Sequence, residues 1–310
     1  MGFGRSLVFA TPLAALATSV AAQSNADLAL WQGQRALVDI ERQLSFGVRA
    51  PDKPGHQRTM DYIEAELRRL DVEPREQRWN SSVAGQPHAL VNIIARLFPE
   101  NPQRLILGTH YDSIVRAYRD KERPNAPMPG ANNSASGVAL LLETARALKS
   151  VHTPPPWGVD LVFFDGEEGP ISLGEGDPHW QPLGSPYFVR HLDDIYPGAK
   201  PAKAAIFDMV CWREEKLRPE QASLVNAPDE VAKFWKIGRT FAPTFFSAQP
   251  VDSPIYDDQI ALADAHIPSF LVIGFEYEPW FNTTQDTVDK CSSDAMSAVG
   301  RTVFRYIYVP

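Results

Sequence analysis

Short runs of apolar residues that stop abruptly at polar ones recur along this chain. Leu161-Val162-Phe163-Phe164, rich in β-branched and aromatic types, reads as a central strand buried on both faces, followed at once by a turn and two carboxylates. Leu105-Ile106-Leu107, within a strand over 104–109, has the same character. Further strands are predicted at 75–79, 88–97, 204–210 and 269–275. Helical spacing appears elsewhere. Leu28, Leu30, Trp31, Leu37, Ile40 and Leu44 place a helix over 27–46, and Met60, Ile63, Leu67 and Leu70 another over 56–70. Helices are also predicted at 134–150, where Ala135, Ser136, Gly137 and Ala139 permit close packing on a sheet, and at 187–195, 229–241 and 294–308. Loops rich in Pro, Gly or polar residues fill 49–55, 118–129 and 169–185, the last a candidate cleft rim. This alternation predicts a single-domain α/β fold with a mostly parallel central sheet and helices on both faces.

Composition narrows the picture. With 310 residues, 44% of them hydrophobic, the chain can bury one large core. A net charge of −8 leaves no basic stripe for phosphates, which argues against nucleic acid as a partner. Leu7 to Ala22 is a short apolar run after Arg5, closing on Val20-Ala21-Ala22-Gln23, as in an export signal; residues 1–22 are therefore assigned to a signal and 23–310 to the α/β domain. Met1-Gly2 with Ser6 also fits a myristoylation pattern, which the apolar run makes the lesser reading. The expectation is an exported monomer with no membrane-spanning segment in its mature part. Cys211 and Cys291, the only cysteines, allow one disulfide and exclude a thiolate metal site.

Where the apolar runs end, four separated segments supply ligand-type side chains: His110 and Asp112, Glu167 and Glu168, Asp208, and Asp257-Asp258. In open α/β sheets the strand carboxyl ends form the crevice that binds ligands, so these groups are expected to meet in one pocket. Adjacent carboxylates at a strand end point in different directions. One can therefore orient substrate or metal while the other moves a proton.

Gly108-Thr109-His110-Tyr111-Asp112-Ser113, Gly130-Ala131-Asn132-Asn133, Phe163-Phe164-Asp165-Gly166-Glu167-Glu168, Tyr256-Asp257-Asp258 and Thr283-Thr284-Gln285-Asp286-Thr287 occur in that order. Together they resemble the zinc aminopeptidases of the M28 type, and most closely their relatives the glutaminyl-peptide cyclotransferases. Phe46-Gly47-Val48-Arg49-Ala50-Pro51 and Pro54-Gly55-His56-Gln57 are similar to the cyclase side of that clan. The resemblance implies two zinc positions, one at His110, Asn133 and Asp208, the other at Asn133, Glu168 and Asn282; cyclases of the animal type use only the second. The family carries Asp where Asn133 stands and His where Asn282 stands, and often His where Gln259 stands. An amide brings no charge and binds zinc weakly. The expectation is thus one zinc at most, held by His110 and Asp208 with Glu168.

By the same resemblance Glu167 is the general base and acid, and Asp208 and Asp257 hold the substrate. Trp280, Phe281 and Gln259, with Trp180, are candidates to contact its first side chain. Hydrolysis needs a metal-activated water, whereas cyclisation brings a tethered amine and amide together and asks chiefly for orientation and proton transfer. The function expected is therefore cyclisation of an N-terminal Gln of a peptide or protein to pyroglutamate with release of ammonia, around a weakened metal site. An exported peptide-binding pseudoenzyme and an M28-type aminopeptidase are the alternatives.

Overall fold

Four parallel strands carry the centre of the fold. The structure, a computed structural model, describes residues 28–171 and 180–309. The predicted signal, the start of the first predicted helix and part of the predicted 169–185 loop lie outside the described residues. Strands β1 (Arg75–Val83), β2 (Gln86–Leu97), β3 (Arg104–His110), β4 (Gly158–Phe164), β5 (Lys203–Asp208) and β6 (Ser269–Ile273) form one sheet in the order β1-β2-β4-β3-β5-β6. β4, β3, β5 and β6 pair in parallel, while β2 pairs antiparallel with both β4 and β1. The sheet is thus mixed. The mostly parallel expectation holds for the four central strands, and the antiparallel part is the β1–β2 hairpin, whose half-exposed, alternating β1 marks it as an edge.

Side-chain alternation divides the core into two layers. Leu105 and Leu107, Leu161 and Phe163, and Ala205 and Phe207 face one way, toward α1 (Gly33–Leu44), α2 (Pro54–Arg68), α3 (Ser136–Lys149), α7 (Pro228–Phe241) and α9 (Ser293–Ile307). Ile106, Val162, Phe164 and Ile206 face the other way, toward α4 (Gly184–Arg190), α5 (Leu192–Ile195) and α8 (Asp258–Asp264). α6 (Gln221–Asn226) sits beside β6. α3 lies so close to the strand ends that a Cβ on Gly137 would fall 2.0 Å from Thr109 Oγ1, which is why that turn is built of small residues.

Several boundaries differ from expectation for physical reasons. β4 begins at Gly158, three residues before the apolar run, because the buried Asp160 is neutralised by Arg104 at 3.0 Å from Nε. α6 and α8 were too short to read from spacing, and the predicted 187–195 helix breaks into α4 and α5 at His191. Among the described residues no helix is long and apolar enough to cross a membrane.

Cys211 and Cys291 form a disulfide across 80 residues of sequence, joining the segment after β5 to the start of α9. Closing so long a loop restricts the unfolded chain. A C211A/C291A variant is expected to lose roughly 2–4 kcal/mol of stability, read as a lower urea midpoint; an unchanged midpoint would contradict this.

Candidate active site

The parallel strands deliver their carboxyl ends to a single edge, and the predicted polar groups meet there. His110 closes β3, and its Nε2 lies 3.2 Å from Asp208 Oδ1 at the end of β5. Its Nδ1 lies 3.4 Å from Asp112 Oδ1 and 3.9 Å from Glu167 Oε2. Glu167 and Glu168 follow Gly166, whose φ of +73° turns the chain out of β4. Asp257 caps α8 by accepting the N–H of Asp258. Glu167, Glu168, Asp208, Asp257, Asn133 and Asn282 border one cavity of about 310 Å³, collared by Ile114, Tyr118, Met209, Ile255, Phe281 and Trp180. Met209 and Asn282 hold positive φ values of 47° and 53°, backbone conformations that cluster at working sites.

Beneath this lining a set of buried polar groups fixes the loops. The Asp112 carboxylate accepts the backbone N–H groups of Glu167, Glu168 and Gly169, each at 3.1 Å, so it positions the acidic turn and does not face the cavity. Asp286 accepts the N–H groups of Asn132 at 2.8 Å and Asn133 at 3.1 Å. The buried Arg49 donates to the carbonyls of Pro129 and Gly130, both at 2.7 Å, and so holds the other side of the same turn. Asp165 accepts the Val91 N–H at 2.7 Å and pairs with His56 Nε2 at 2.8 Å. None of these supporting roles was read from the sequence. Arg49, His56 and Asp286 did fall inside the segments that carry the family resemblance, which was the available signal.

The cluster is acidic and buried, and its proton affinities are shifted accordingly. Burial, then the negative charges of Glu168, Asp257 and Asp258, hold the Glu167 carboxyl well above the usual range, with His110 opposing. Burial, and then the charge of Asp208, raises Asp257 in the same way. Burial pushes Glu168 and Asp258 up to about 7 each. At His110 burial would lower the imidazole, but its bonds to Asp112 and Asp208 outweigh it and the ring is raised well above its ordinary value.

The family model for peptidase family M28 matches residues 92–307 of this chain. The chain belongs to peptidase family M28. Among solved M28-like structures, a Tannerella forsythia glutaminyl cyclase is 29% identical, with a TM-score of 0.82 over 90% of this chain and 99% of that one. A Zn-dependent exopeptidase from Parabacteroides distasonis is 26% identical, with a TM-score of 0.82 over 90% of this chain and 99% of that one. The bovine glutaminyl-peptide cyclotransferase-like protein is 33% identical over 155 residues, 48% of this chain and 37% of its own length. The chain matches less than half the length of such curated relatives.

M28 relatives include zinc-dependent proteins, so the donor set can be tested against zinc. The Asn133 amide turns its N–H groups toward Glu168 Oε1 at 2.5 Å and Asn282 Oδ1 at 3.2 Å. Asn282 in turn donates to the Tyr118 hydroxyl at 3.2 Å. The Asn133 N–H hydrogens are thus taken up by neighbouring oxygens, and the one lone-pair atom it leaves buried without a partner, Oδ1, is an uncharged amide oxygen. Among the described residues no group of three His, Cys, Asp or Glu side chains is arranged to hold a metal ion. The expected set of His110, Asp208 and Glu168 does not close around one point: His110 and Asp208 bond to each other, and Glu168 turns to Asn133. The residues present do not fit zinc.

Of the three expected substrate contacts, Phe281 lines the cavity. Gln259 is fully buried, with its amide nitrogen 2.9 Å from the Ile255 carbonyl, and so braces α8. Trp280 does not border the cavity and lies against Lys290, whose ammonium is 4.6 Å from the ring centre. Gln259 is turned into the core from the first turn of α8, and Trp280 borders a neighbouring hollow that it shares with Phe281. Trp180 does line the cavity.

Proposed function

We propose that this M28 protein cyclises the N-terminal Gln of peptides or proteins to pyroglutamate, releasing ammonia, around a degenerate metal site. The observation that carries this reading is the shared cavity of Glu167, Asp208 and Asp257, in which Glu167 has a raised proton affinity. The α-amine nitrogen attacks the side-chain amide carbon, forming the lactam bond. Glu167 takes the proton released by the amine and hands it to the amide nitrogen as the carbon–nitrogen bond breaks and ammonia departs. Asp208 and Asp257 accept N–H bonds from the amine and the amide, holding the two ends of the glutamine in reacting distance. His110, bonded to Asp208, fixes that carboxylate and offsets part of the local charge. Because nucleophile and electrophile belong to one residue, orientation supplies much of the rate.

Glu167→Gln is expected to lower kcat by about 100-fold or more, the span of general acid–base catalysis, with KM nearly unchanged. Ammonia release and the product mass from a Gln-initiated peptide check this. Turnover at the wild-type rate in that variant would remove Glu167 from the mechanism.

The bonding of Asn133 to both Glu168 and Asn282 favours a second reading, a peptide-binding protein that kept the pocket and lost the chemistry. Saturable binding of a Gln-initiated peptide with no ammonia released would select it. The aminopeptidase reading is weakest, because the inward-turned amides do not suit the metal-activated water that hydrolysis needs. The Cys211–Cys291 bond supports action in an oxidising compartment, in keeping with export.

A further inference from the structure

We infer that the peptide chain following the reacting residue lies in a second hollow between α4 and α8, and that the enzyme prefers substrates carrying an apolar side chain there. This rests on the cyclase reading and names its substrate class. The hollow, about 220 Å³, shares Tyr256 and Asp257 with the catalytic cavity, so the two adjoin at those residues. Tyr256 stands 68% exposed on the partition, one of few large apolar side chains so placed among the described residues. Pro182, Pro186, Val189, Ile260 and Ala261 make the lining of the second hollow largely apolar, with Gln181, Arg190 and Asp264 also bordering it. Below it the Ser185 hydroxyl donates to Asp258, tying the first turn of α4 to the first turn of α8. The walls are therefore fixed before anything binds.

Continuity decides the occupant. A first residue held at Glu167 must send its carboxyl side out of the cavity, and the hollow begins at Asp257, a side chain that borders that residue. The tether presents the next residues to the hollow at an effective concentration of about the millimolar range, so a modest apolar contact suffices. Acidic downstream residues are disfavoured by the apolar walls and by the Asp257 and Asp264 carboxylates, which outnumber Arg190.

The test is kcat/KM for glutamine amide and for amidated tetrapeptides with Gln first and either Leu or Asp at the second and third positions. The Leu peptide is expected to exceed both others by about tenfold or more, mainly through KM. Ala261→Trp, which fills the hollow, and Tyr256→Ala, at an exposed position that the fold does not need, are each expected to erase most of that ratio. Val225→Ala, 80% exposed before substitution and outside the cleft, is expected to preserve it. Equal kcat/KM across the series, or an undiminished Leu advantage in Ala261→Trp and Tyr256→Ala, would overturn the inference while leaving the cyclase reading standing. If no peptide turns over, the cyclase reading fails instead. Fluorescence anisotropy of a C-terminally labelled Leu peptide then decides the hollow, which is supported if Ala261→Trp weakens binding by about tenfold or more and overturned if it does not.

Discussion

Asn133→Asp combined with Asn282→His is expected to turn a chain that carries less than about a tenth of an equivalent of zinc into one that carries about one equivalent, the occupancy of a complete carboxylate and imidazole donor set. The reason lies in which atoms face Glu168. In the native sequence an amide N–H meets Glu168 Oε1 at 2.5 Å and a second amide receives the other hydrogen. The double variant removes both, and sets a carboxylate and an imidazole beside Glu168. Without an ion, the two carboxylates would repel in a buried site, and the apo variant is expected to unfold at lower temperature than the native chain. Zinc should then raise its melting temperature, because an ion that binds only the folded state stabilises it by mass action. Elemental analysis and thermal shift with and without zinc check both halves. Stoichiometric zinc on the native chain, or none on the double variant, would defeat the donor-orientation argument.

The same comparison shows what the sequence could tell. Apolar runs gave β3, β4 and β5 because strands buried on both faces have no polar alternation to confuse them, and the polar groups at their ends met as expected. Asp160 misled the reading of where β4 starts, since a buried carboxylate paired with Arg104 looks like a loop residue until the partner is seen. Pairing direction was not legible either: β2 is as apolar as its parallel neighbours, and only its contact with β4 shows that it runs the other way. Within the site, residue type pointed to Glu167, Asp208 and Asp257, which border one cavity, but could not tell which way Trp280 or Gln259 would face. Asp112 illustrates the limit most clearly. It has a ligand's chemistry and a strand-end position, and its three backbone partners make it a brace. The substitution of amides for charged ligands was visible in the chain; that their hydrogens point inward was not.

Stability is expected to fall as pH rises from about 5 to above 8, and Glu215 is expected to contribute a separable part of the slope. This side chain is 1% exposed, accepts one bond from the Lys216 N–H at 3.0 Å, and leaves Oε2 buried without a hydrogen-bond partner. Oε2 is packed so tightly on Gly274 that an added Cβ would come within 1.9 Å. Burial, followed by the charges of Glu276 and Asp208, pushes the carboxyl up to about 8 against the Lys216 bond. Between an ordinary unfolded carboxyl value near 4.5 and that folded value, the folded chain binds more protons than the unfolded one, so unfolding free energy declines with pH. A shift of this size corresponds to a loss on the order of 4–5 kcal/mol across the window. The cavity carboxyls slope the same way: Glu168 and Asp258, each near 7, and Glu167 and Asp257, raised well above the usual range. Gly274 links Glu215 to the site, because its N–H lies 3.1 Å from the Met209 carbonyl, directly after Asp208. Glu215→Gln keeps the shape and cannot ionise. Its urea midpoint is expected to match the native chain at pH 5, to exceed it clearly at pH 8.5, and to leave only the shallower slope of the cavity carboxyls. Parallel midpoint profiles for the two proteins would mean that Glu215 finds a compensating partner when it ionises, and that the pH sensitivity of the fold originates in the Glu167–Asp257 cavity alone.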